Sequence, residues 1–180
     1  MGQYFIPTFL DAHGRIVRAL NPSDYGSGDK IAGHSRADTR LMWAVEALLA
    51  LDGGFRLVWA GEYADDEADQ TANLYWLSEP RHFVRFRELI CPEPGVEANA
   101  SLPQHNPHKI HWYVCNADRR EFIDKSSLPV DDMGWRRTSL PNLTFESNRP
   151  GNGRWARHRL HYSHTPPPAD WTSAPAFTWT

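Results

Sequence analysis

The chain of 180 residues is long enough for one domain with a core that needs no disulfide or metal support. At 41% hydrophobic and 23% charged residues its composition is that of ordinary globular material, which excludes disorder for the bulk of the chain. A formal net charge of −3 argues against binding nucleic acid through the overall field, and two cysteines are too few for a secreted disulfide framework.

Trp 8, Phe 8 and Tyr 6, many of them in short extended runs, predict an aromatic, β-rich core, because large rings pack well on a pleated surface. In chain order, residues 3–10 and 15–20 read as a hairpin around the turn 11–14, with Pro7 expected at an edge position. Residues 21–33 form a Gly-, Ser- and Asp-containing loop. The dominant helix is expected at about 36–51: Ser35 and Asp38 resemble a capping box, Leu41, Ala44, Val45, Leu48 and Leu51 make one apolar stripe, and Gly53-Gly54 ends it.

Residues 55–60 read as a buried strand, followed by an acidic turn from Glu62 to Asp69, and 73–77 as another strand. Residues 81–90 fit a helix or a strand equally. A long loop spans 92–107, a second hairpin joins 109–115 to 120–124, and 129–150 is irregular. Residues 153–163 read as the last strand. The expected architecture is a single α+β domain over residues 1–164, mainly an antiparallel sheet with the one dominant helix packed on it. Residues 165–180 are a Pro- and Trp-containing C-terminal tail, either loosely ordered or strapped across the domain.

Six of the nine histidines fall into two triplets of equal spacing: His105, His108, His111 and His158, His161, His164. Imidazoles are common zinc ligands, so His105, His108 and His111 are the candidate metal residues, with zinc the metal they would take. Spacing of three alternates faces on a strand, so each regular strand offers one inward imidazole, with Cys115 in phase with His111.

A basic run accompanies the second triplet. Arg154, Trp155, Arg157, Arg159, His161 and Tyr162 form the candidate ligand-binding set, since guanidinium forks beside flat rings suit an anion or a nucleotide. The bland alternative is the wet face of a strand.

Other motifs are incomplete. Gly28 to Ser35 has Walker A spacing, but His34 stands where lysine is needed and no buried strand precedes it. The acidic turn lacks EF-hand spacing. There is no Gly-x-Ser-x-Gly elbow, and His161-Tyr162-Ser163 is one half of a two-histidine phosphoesterase signature without the other half.

Met1-Gly-Gln-Tyr4, Leu10-Asp-Ala-His-Gly14, Trp59-Ala-Gly-Glu-Tyr-Ala64 and Gly153-Arg-Trp-Ala156 together resemble a group of small, uncharacterised bacterial and phage-encoded proteins that begin Met-Gly-Gln-Tyr. The resemblance covers scattered blocks. It implies a bacterial or mobile-element origin and a soluble intracellular protein, and carries no catalytic residues.

The N-terminal stretch lacks a basic segment followed by an apolar run, and no apolar stretch is long enough to span a bilayer, so the expectation is a cytoplasmic protein without membrane contact. With no paired acid, base and nucleophile, the reading is a non-enzymatic binding protein that recognises a protein partner or an anionic, nucleotide-like ligand. The rival from another class is a metal-dependent hydrolase using His105, His108, His111, His161 and Cys115.

Overall fold

The computed structural model describes residues 2–51, 54–85, 112–148 and 151–177. Among the described residues eight strands form one mixed, mostly antiparallel sheet: β1 Phe5–Leu10, β2 Ile16–Ala19, β3 Phe55–Gly61, β4 Tyr113–Asn116, β5 Glu121–Asp124, β6 Phe145–Glu146, β7 Arg159–Ser163 and β8 Thr172–Ser173. Their spatial order is β2-β1-β3-β7-β4-β5-β8, with β6 added in parallel to β3 and β8 in parallel to β5. Among the described residues four α-helical segments accompany it: α1 Ile31–His34, α2 Arg40–Leu49, α3 Leu74–Leu77 and α4 Leu140–Thr144. The chain is an α+β domain.

Strand periodicity divides the core in two. Phe5 and Phe9 of β1 join Leu57 and Trp59 of β3 beneath Leu41, Val45, Leu48 and Leu49 of α2. The alternate residues Ile6, Leu10, Val58 and Ala60 pack with Leu74 of α3 on the opposite face. Period-2 side chains on paired strands make this split unavoidable, so both sheet faces need cover.

Several elements depart from the sequence expectations. The dominant helix is shorter than 36–51 and is capped by Thr39, whose hydroxyl accepts from Met42 N at 3.2 Å. Ser35 and Asp38 do not form the expected box. The Ser35 hydroxyl donates to the Ala32 carbonyl and accepts from Arg137, and Asp38 pairs with Arg136. Residues 74–77 are helical rather than extended, because the Asn73 side chain accepts from the amides of Tyr75 and Trp76 and caps a turn. The irregular 129–150 region contains α4 and β6.

Pro7 lies in a strand paired on both sides rather than at an edge. Its carbonyl accepts from Leu20 N, so the missing N–H also points toward β2 and no bond to β3 is lost. The strand expected over 153–163 is β7 and begins at Arg159, and β8 follows it. Before β7 the chain turns through Arg157, which adopts φ +63°. Arg157 sits where one edge of β3 changes partner, between β7 at Phe55–Arg56 and β6 at Trp59–Ala60; its amide donates to the Leu57 carbonyl. Gly54, expected only to end α2, takes φ +95° and passes so close to the Leu160 carbonyl that a Cβ would lie 1.9 Å from its oxygen. The tail adds β8, and Phe177 lies under the Arg137 guanidinium at 5.9 Å.

Candidate functional site

The basic run does not form one face. Trp155 is fully buried in the α2-side core, and its indole N–H donates to Glu121 at 2.6 Å. Arg154 pairs with the other oxygen of the same carboxylate. Arg157 is forked between Glu67 and Glu146, with bonds of 2.9 and 2.8 Å among its contacts, and these carboxylates hold its guanidinium firmly protonated. Arg159 is exposed, His161 is half-buried on the same face of β7, and Tyr162 on the other face turns toward α2.

Arg154 and Arg157 open on a cleft of about 490 Å³ whose walls also carry Asp65, Asp66, Glu67 and Glu146. Four carboxylates against two guanidiniums leave that cleft net acidic, which disfavours an anionic ligand.

His105, His108 and His111 lie outside the described residues. Among the described residues no group of three or more His, Cys, Asp or Glu side chains is placed to hold a metal. His158 has Nδ1 3.1 Å from the Asn116 amide, and burial lowers its pKa. His161 stands opposite Cys115 in the β4–β7 register, its pKa likewise lowered by burial. Burial pushes the Cys115 thiol up to about 11, so at neutral pH it is a thiol and a poor nucleophile. His164 is exposed and packs against the Trp112 ring.

The Walker-like loop has a structural explanation. His34 is fully buried, with Nδ1 accepting from the Trp59 indole at 2.9 Å and Nε2 2.6 Å from the Gly28 carbonyl. Because Nδ1 accepts, Nε2 carries the proton and donates, and the neutral imidazole pins the glycine loop to β3.

A site absent from the sequence reading surrounds Glu62, at the end of β3. The Tyr4 backbone amide donates to the Glu62 carboxylate at 3.0 Å, and the Glu62 amide returns a bond to the Tyr4 carbonyl. The Trp76 indole N–H donates to the Glu62 carbonyl at 3.1 Å. Asn73, itself buried, reaches the carbonyls of Glu62 and Ala64 through Nδ2 while Oδ1 caps α3, so one side chain fixes the helix bearing Tyr75 and Trp76 against the β3 end.

Tyr75 meets the Trp76 ring edge-on with centroids 4.9 Å apart. The Glu62 charge raises the pKa of the Tyr63 phenol; burial, then Glu62 and Asp29, raise that of Tyr75. Tyr4, Tyr63 and Trp76 are respectively 42%, 47% and 64% exposed, and all three residues lie next to Glu62 in the sequence or bond to it. Among the described residues no basic side chain is ion-paired with Glu62.

The sequence reading passed over this patch because its rings come from three separate segments. The available signal was Asn73 directly before Leu-Tyr-Trp, a cap preceding a short helical turn rather than a strand. Compared with known protein families, curated proteins and solved structures, the chain matches none. No helix among the described residues is long and apolar enough to cross a membrane.

Proposed function

We propose that the chain is a cytoplasmic, non-enzymatic binding protein that recognises a protein partner through Tyr4, Tyr63, Tyr75 and Trp76 around Glu62. One observation carries the reading: Trp76 is 64% exposed although its indole, its helix cap and its neighbouring ring all hold it in place. An immobilised, uncovered Trp is the kind of residue that dominates protein interfaces, since its ordering entropy is already spent before binding. Of the two ligand classes open to a binding protein here, the protein partner gains over the anion, because Arg154 and Arg157 are committed to Glu121, Glu67 and Glu146.

The test uses affinity capture of the full chain and its Trp76→Ala and Tyr63→Ala variants from lysate of its native cells. A partner retained by the parent, lost by both variants and rebound from purified components supports the reading. A partner that both variants hold as tightly as the parent counts against it.

A further inference from the structure

Resting on that reading of the patch, we infer that the Glu62 site takes a cationic side chain, a lysine or arginine displayed by the partner protein.

Two features converge on a cation. The rings of Tyr4, Tyr63 and Trp76 are exposed, and the face of an aromatic ring attracts an ammonium or guanidinium group electrostatically. The carboxylate beside them receives the Tyr4 amide but no basic side chain among the described residues, so its charge is uncompensated by a counter-ion. The exposed Asp65 and Asp66 of the loop that follows belong instead to the cleft lined by Arg154 and Arg157. Lys30 lies along Gly2, its Cε 3.1 Å from where a Gly2 Cβ would sit.

The alternatives are weaker on the same chemistry. An anion would meet the Glu62 carboxylate. A purely apolar group would cover the rings but strip water from Glu62 without replacing it, and a buried, unpaired carboxylate is strongly unfavourable. A long cationic side chain satisfies both demands, with its methylenes over the rings and its charged head at the carboxylate.

The fixed geometry adds selectivity. Asn73 ties the backbone carbonyls of Glu62 and Ala64 to the amides of Tyr75 and Trp76, so the Glu62 backbone and the turn bearing the exposed indole are held together. Leu74 anchors the same turn in the core on that face of the sheet.

The test follows the Trp76 indole N–H in the ¹⁵N spectrum of the full chain, assigned by its loss in Trp76→Phe. The titrants are a blocked Gly/Ser peptide with two central lysines, its arginine version and its norleucine version. We expect saturable shifts with lysine and arginine that weaken with salt. Glu62→Gln, which keeps the oxygen that accepts from Tyr4, should weaken them about tenfold, the loss of one charge-assisted contact.

Norleucine binding within twofold of lysine would overturn the cation assignment while leaving the patch a docking surface. An unmoved indole signal with both basic peptides at millimolar concentration, or Glu62→Gln binding as tightly as the parent, would also overturn it. Failure of the broader reading shows separately, as a partner that Trp76→Ala still captures.

Discussion

The Lys125 ammonium lies 2.6 Å from each oxygen of the Glu46 carboxylate, inside the packing between α2 and the sheet. Both side chains are almost fully buried, and the Tyr162 hydroxyl is enclosed beside Glu46, with its ring stacked on Trp112 at 4.8 Å. Burial pushes the Glu46 carboxyl up, and Lys125 pulls it back toward the charged form. Removing one partner strands a charge in the core, so Lys125→Met should cost about 3–5 kcal/mol. The pair Glu46→Leu with Lys125→Met should recover most of that loss, as measured by urea unfolding. A double variant no more stable than the single would show that packing rather than charge dominates.

His34 predicts an acid-sensitive fold. Burial lowers its pKa below the ordinary 6.5, against the Gly28 carbonyl, which raises it. The unfolded chain therefore takes up a proton near pH 6.5 while the folded chain resists it. Stability should be complete above pH 6.5 and fall as the pH drops below it. The more accessible His82, His158 and His161 shift in the same direction. The urea midpoint should drop between pH 7.5 and 5.5, and His34→Gln should flatten that slope. A midpoint that rises on acidification would contradict the assignment.

Arg157 and Arg159, two residues apart, should behave differently. Arg157→Ala breaks the fork to Glu67 and Glu146; because its side chain is 38% exposed, solvent screening holds the cost to about 1–2 kcal/mol. Arg157→Gly loses the same contacts but accepts φ +63° without strain, and should be about 1 kcal/mol milder than the alanine variant. Arg159→Ala should change stability by about 0.5 kcal/mol or less, as for an exposed residue. Equal losses at Arg157 and Arg159 in thermal unfolding would show that the carboxylate fork contributes nothing.

Cys115 should be silent toward thiol reagents. Its thiol is enclosed and pushed up to about 11, so the reactive thiolate is scarce at pH 8. In a Cys91→Ser background, iodoacetamide should label the folded chain orders of magnitude more slowly than the urea-unfolded chain. Rapid labelling of the folded protein would place Cys115 in a reactive environment and reopen its use as a ligand or nucleophile.

Local pattern was enough for the class of fold. The stripe Leu41, Ala44, Val45, Leu48 marks α2, and the aromatic runs mark β1 and β3, because burial on a helix or strand face imposes periods that can be counted along the chain. The same counting could not say which arginines face water. Arg154 meets Glu121 from 33 positions away, and Arg157 meets Glu67 from 90, so their neutralisation exists only once β5, β6 and the acidic turn are assembled around β7. Trp155 sits among those arginines in sequence, yet its place in the core was set by Glu121 and Leu143, whose carboxylate and carbonyl accept its indole and amide hydrogens. The Glu62 patch draws Tyr4, Tyr63 and Trp76 from three segments, and its exposure depends on what the rest of the sheet leaves uncovered. Periodicity records how a segment meets the core; the pairing of charges and rings across the sheet is long-range, and only the folded chain decides it.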